Sequence, residues 1–166
     1  MSGETNLEIL LQSMEPSLNP GEYVFCTVEN MGIINPSNLI GTFNEKEGTN
    51  VIIPREKADQ ARLSYSFVAA WITLTVHSSL EALGLTAAFS VAHAKEGISC
   101  NVVSGFYHDH IFVNLKYSEK AIGILKAFFK KMVAPKCRSS ITNMNLNNIC
   151  SHYPAISIIF SSYHNH

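Results

Sequence analysis

The chain has 166 residues, enough for one ordinary domain or two small units packed together. With 46% hydrophobic and 15% charged residues it can form a real core, which excludes a disordered chain. Its 12 basic and 13 acidic residues are intermixed at a net charge of −1, so no basic stripe marks a nucleic-acid partner.

Four cysteines occur, at Cys26, Cys100, Cys137 and Cys150, with no CxxC pair and no histidine at zinc-finger spacing. They are expected to be reduced thiols, with no metal and no cofactor. The opening "MSGETNLEILLQSMEP" lacks a basic region before its short apolar run, and no apolar stretch is long enough to span a bilayer. The expectation is a soluble cytoplasmic protein without a membrane partner.

Along the chain, Leu7, Leu10, Leu11 and Met14 recur at helical spacing and predict a short helix over Asn6–Met14. "LNPGEY" is a turn signal, and Glu22–Val28 has strand composition. Ile40–Pro54 reads as two strands around a turn at Glu45–Thr49, where Gly48 can take a positive φ. Pro54–Ala61 predicts a helix with Pro at its first position, and Leu63–Phe67 alternates like a strand.

The second half is cleaner. Ala69–His77 alternates, with Ala70, Ile72, Leu74 and Val76 on one face and Trp71, Thr73, Thr75 and His77 on the other. Gly84–Gly97 predicts a helix with a narrow apolar face, closed by Gly97. Ile98–Tyr107 and His110–Tyr117 read as strands. Ser118 is the expected N-cap of a helix over Glu119–Met132, with Ile122, Leu125, Phe129 and Met132 inward. This order is most of a ferredoxin-like βαββαβ unit, and the first half is a weaker version of it. The fold class is therefore α+β: two tandem units with antiparallel sheets and helices packed on one face. From Ala134 onward the chain is rich in Ser and Asn, although "AISIIF" (Ala155–Phe160) is β-prone and is a candidate for the last strand.

Two stretches invite a chemical reading. His108-Asp109-His110, with His77 as a third ligand, suggests a metal-dependent hydrolase. The triplet falls at an expected chain reversal, however, and two ligands are fewer than a zinc site uses. It is read as a hairpin tip whose side chains bond nearby backbone. His77-Ser78-Ser79 resembles a base beside a hydroxyl, but adjacent residues rarely present these groups to each other. A more economical role for this loop is anion binding: it enters a helix at Gly84-Leu85-Thr86, where the first N–H groups are unpaired.

"LNPGEYVFCTV", "GTFNEKEGTNVIIPREKAD", the long block Ile72–Val113 and "EKAIGILKAF" together resemble a family of tandem ACT-domain proteins of unknown function. The chain is more distantly similar to the regulatory ACT pairs of aspartate kinases and to CASTOR-type amino-acid sensors. The resemblance implies an N-terminal degenerate unit over 7–66 and a C-terminal unit over 67–133; the chain departs from it after about Lys130, and 134–166 is an atypical tail and a candidate for disorder. It also implies an effector, usually an amino acid, held between units by the first strand–helix loop and the start of the second strand. Carried over to this chain, those positions are His77, Ser78, Ser79, Gly84, Leu85, Thr86, Asn101 and Val102. The expected protein is then a non-catalytic, homodimeric regulator that binds a small molecule. The alternative is an interaction module whose sheets pair without any ligand.

Overall fold

The computed structural model describes residues 14–75 and 85–133. Its strands are β1 (Pro16–Leu18), β2 (Tyr23–Val28), β3 (Gly41–Glu45), β4 (Gly48–Pro54), β5 (Val68–Leu74), β6 (Cys100–Ser104) and β7 (Asp109–Asn114). Its α-helices are α1 (Arg55–Gln60), α2 (Leu85–Lys95) and α3 (Ser118–Val133). All strands join one antiparallel sheet in the order β3-β4-β2-β5-β7-β6, and β1 also pairs with β5.

β5 belongs to two units at once. Its first residues pair with β2, Val68 opposite Val24 and Ala69 opposite Tyr23. Its last residues carry β1 on the same edge, Ile72 opposite Leu18 and Leu74 opposite Pro16. The other edge of β5 pairs along its length with β7. Thus β2, β3, β4, α1 and β5 form the first ferredoxin-like unit. β5, α2, β6, β7 and α3 form the second, and β1, from before the first unit, fills the place of its fourth strand.

The helices cover one face of the sheet because the strands alternate. Ala70, Ile72 and Leu74 of β5 and Ile111 and Val113 of β7 point toward Phe89 of α2 and toward Ile122, Leu125 and Phe129 of α3. Burial of side chains this large contributes about 1.5–3 kcal/mol each. In the first unit, Val24, Cys26, Val51 and Ile53 pack against Ala58 of α1. The opposite face carries aromatic rings, with Tyr23 edge-on to Trp71 at 5.2 Å and Phe25 edge-on to Phe112 at 5.3 Å between centroids.

The β3–β4 hairpin forms as its sequence indicates, with Gly48 at φ 140°. Gly97 closes α2 at φ 70°. Several expectations change. Leu63–Phe67 alternates in exposure but is not a strand. Arg62, at φ 53°, turns the chain out of α1, and Leu63 and Tyr65 alternate inward by packing on the first core without ladder partners. Pro54 is the last residue of β4 and precedes α1 instead of opening it. The predicted strands beginning at Ala69, Ile98 and His110 run instead over Val68–Leu74, Cys100–Ser104 and Asp109–Asn114. Ser118 is not an N-cap: Asn114 caps a 3-10 turn over Leu115–Tyr117 that runs directly into α3. β1 was not foreseen, and it occupies the place in the sheet considered for Ala155–Phe160, which lie outside the described residues. The helix predicted over Asn6–Met14 also lies outside them, except for the buried Met14. Where the first unit would carry its first helix there are only two 3-10 turns, Met31–Ile33 and Pro36–Asn38, each capped by the side chain of the Asn before it.

Candidate ligand site and the polar chain beside it

The resemblance points to the β5–α2 loop and to β6. Of the loop residues, His77, Ser78, Ser79 and Gly84 lie outside the described residues. Leu85 is the first residue of α2, and Thr86 is exposed on its first turn. Among the described residues β6 is an edge strand of the sheet and pairs only with β7. Alternation splits its residues between the faces. Cys100 and Val102 pack on the helix side, where the Cys100 thiol lies 3.7 Å from the Ser90 hydroxyl of α2. Asn101 is exposed and sits opposite Phe112, on the face away from α2. Its Nδ2 donates weakly to the Phe112 carbonyl at 3.4 Å, and among the described residues no partner takes its Oδ1. Asn101 and the first turn of α2 are therefore on different faces, and a ligand touching both must straddle the open edge of β6. Burial raises the Cys100 thiol above its ordinary range and so favours the neutral thiol, with an opposing effect from Ser90.

The His108-Asp109-His110 triplet is not the tip of the hairpin. The reversal is Gly105–His108, closed by Gly105 N–H donating to the His108 carbonyl at 2.9 Å. A Cβ on Gly105 would lie 2.9 Å from that same oxygen, which explains the glycine. Asp109 and His110 already belong to β7, and their alternation puts Asp109 on the helix side and His110 among the aromatic rings. His110 does not bond nearby backbone as expected. Its Nδ1 accepts from the Trp71 indole N–H at 3.1 Å and lies 3.3 Å from the Thr73 hydroxyl. That hydroxyl accepts from Asn19 Nδ2 at 2.8 Å. Asn19, just after β1, also donates its backbone N–H and its side chain to the Trp71 carbonyl.

An indole nitrogen only donates, so Nδ1 of His110 must keep its lone pair and the ring must be the Nε2–H tautomer. Burial holds His110 below the usual imidazole range. The neighbouring His108 adds to this and Asp109 opposes it. With Nδ1 so engaged, His110 is poorly placed as a metal ligand. Among the described residues, no group of three or more His, Cys, Asp or Glu side chains stands close enough to hold a metal ion.

Sequence reasoning did not find this polar chain. The alternation of β5 had already put Trp71 and Thr73 on one face, but nothing local indicated that Asn19, from another strand, would join them. It also missed His93, fully buried on α2, where Nδ1–H donates to the Phe89 carbonyl at 2.9 Å and Nε2 meets no partner.

The fold is a pair of ferredoxin-like units sharing β5, with an open edge at β6. By sequence, residues 2–70 match one ACT-domain model and residues 66–127 match a second, and the chain belongs to the ACT-domain family. It is 48% identical to a Vibrio cholerae protein of unknown function described as a possible transport protein. That match covers 74% of this chain and 95% of the other, with a TM-score of 0.64. An Agrobacterium tumefaciens protein shares the fold at 15% identity, over 70% of this chain and 89% of its own, with a TM-score of 0.55. The aspartate kinase of Clostridium acetobutylicum, described as an allosteric enzyme, shares it at 9% identity over 70% of this chain and 34% of its own, with a TM-score of 0.53. No curated protein matches the chain by sequence. No helix among the described residues is long and apolar enough to cross a membrane.

Proposed function

We propose that the protein is a non-catalytic regulatory ACT module that binds a small molecule, an amino acid, at the open edge of β6. The observation that carries this reading is the exposed Asn101 on that edge strand, with its Oδ1 open to a donor. A carboxamide offers an acceptor to an ammonium and donors to a carboxylate. The unpaired N–H groups that open α2 supply the second anchor, toward a carboxylate, with Leu85 and Thr86 in that turn. The loop residues His77, Ser78, Ser79 and Gly84, with Val102, complete the proposed site. Because the anchors lie on opposite faces, the ligand sits at the edge, and a second copy closes it there. The protein acts as a cytoplasmic homodimer and makes no covalent change in its ligand.

Thermal-shift screening of the full chain with the twenty amino acids tests this. At a hundredfold its dissociation constant, a ligand adds about 2.7 kcal/mol of stability. Asn101→Ala should remove most of that gain, while the fold, whose core Asn101 does not enter, stays intact. A specific observation supports a second reading. Among the described residues the outer edge of β6 is unpaired, and it can add the β6 of another copy without a ligand. Scattering separates the two readings: a dimer whose size and stability ignore every amino acid favours the second.

A further inference from the structure

The first unit lacks the helix that its fold would place between β2 and β3, and the two 3-10 turns there are too short to cover the same ground. They cap the core with Ile34 but leave a cleft of about 230 Å³ between themselves and α1. The fully buried Ile53 lies at its base, and Ile33 and Ala61 form apolar walls. Ile33 is one of the few large hydrophobic side chains the described residues leave exposed, at 54%. The polar lining comes from Asn35, Asn38, Lys57 and Gln60, all of which offer N–H donors, and among the described residues no carboxylate lines the cleft.

A second, larger cleft of about 440 Å³ makes the contrast. Glu22, Glu56 and Asp59 line it, and its only cation, Arg55, already binds Glu22 at 2.8 Å. In the smaller cleft, among the described residues, Lys57 touches only Gln60, at 3.4 Å, and Glu56, at 3.2 Å, whose side chain is 70% exposed. Such a solvated pair is worth little and exchanges easily for another anion. At the C-terminus of α1 the carbonyls of Lys57, Ala58 and Asp59 accept from Ala61, Leu63 and Arg62.

We infer that this cleft is a second binding site, for a small branched aliphatic carboxylate whose charge meets Lys57 and whose hydrocarbon end covers Ile33 and Ala61. The volume is below the range of sites for drug-sized ligands, which run from about 300 Å³ upward, and this points to a molecule of only a few carbons. The site is separate from the edge of β6 and stands whether or not that edge binds an amino acid.

The experiment is an amide-resolved NMR titration of the full chain with isovalerate, and with isovaleramide and acetate as controls. Isovalerate should shift the amides of residues 33–38 and 53–61. Isovaleramide, which lacks the charge, and acetate, which lacks the branch, should each bind about tenfold more weakly. Lys57→Gln should abolish the preference for isovalerate over its amide, and Ala61→Phe, which fills the cleft from its wall, should abolish binding. Shifts that appear instead at Leu85–Ser90 and Cys100–Val103 overturn this inference and leave the β6 reading standing. No saturable shift anywhere, or shifts at the cleft that neither variant changes, overturns it as well.

Discussion

His110 offers the sharpest test of the geometry, because Trp71 is the only tryptophan in the chain and reports on it directly. Its indole N–H ends on Nδ1, the Thr73 hydroxyl lies 3.3 Å from the same atom, and the two rings stand 5.4 Å apart. Replacing His110 by Phe keeps an aromatic ring and leaves the Trp71 indole N–H without this acceptor in a half-buried place. A donor left without its acceptor costs about 1–3 kcal/mol. At about 2–4 °C per kcal/mol for a chain of this size, the melting temperature should fall by several degrees. Combining His110→Phe with Trp71→Phe in a double-mutant cycle should return a coupling of about 1 kcal/mol. The pH dependence has a definite sign. His110 titrates below its unfolded value of 6.5 because burial, and then His108, disfavour the imidazolium, while Asp109 opposes them. The unfolded chain therefore takes up this proton first. The stability linked to the neutral ring is fully present above about pH 6.5 and is lost as the pH falls from there through the lower folded value. Trp71 fluorescence should stay constant above pH 6.5 and change below it, as the imidazolium replaces the acceptor and quenches the indole. A midpoint above 6.5, or a coupling indistinguishable from zero, refutes the hydrogen-bonded tautomer assigned here.

Two further outcomes follow from the backbone and the sheet. Gly48→Ala should destabilise by about 1–3 kcal/mol, because its φ of 140° strains any side chain and the new Cβ would meet Thr27 Cγ2 at 2.9 Å; urea denaturation measures it. Asn19→Ala removes the side-chain bonds to the Trp71 carbonyl and Thr73 but keeps the backbone bond, so about 1–2 kcal/mol should be lost. In that variant hydrogen exchange should quicken at Ser17 and Leu18 before it does elsewhere, since β1 is held by few other contacts of this kind.

Much of the fold is legible in the chain because strand alternation and helix spacing are local signals. Ala70, Ile72 and Leu74 face the helices, and Ile122, Leu125 and Phe129 bury as their spacing implies. The failures come from non-local effects. Leu63 and Tyr65 alternate because they pack on a neighbouring core, and no strand lies beside them. The three residues of β1 carry no period at all, and only the vacant place beside Ile72–Leu74 makes them a strand. The site was less legible than the fold. The family resemblance picked out Asn101 and the expected helix start picked out Thr86, but only the register, Asn101 opposite Phe112, shows that they occupy different faces. His108 and His110 look alike in the sequence, yet one sits in the turn and the other accepts from Trp71 within the aromatic face.

The central claim is that an amino acid binds reversibly at the open edge of β6, through Asn101 and the first turn of α2. Isothermal titration of the full chain with the best-stabilising amino acid, followed by recovery of that ligand, tests it most directly. The account predicts a saturable heat, a loss of affinity of tenfold or more in Asn101→Ala, and a ligand recovered chemically unchanged. Heats at the level of dilution for all twenty amino acids in a folded sample, or a recovered ligand that has been converted, contradict it.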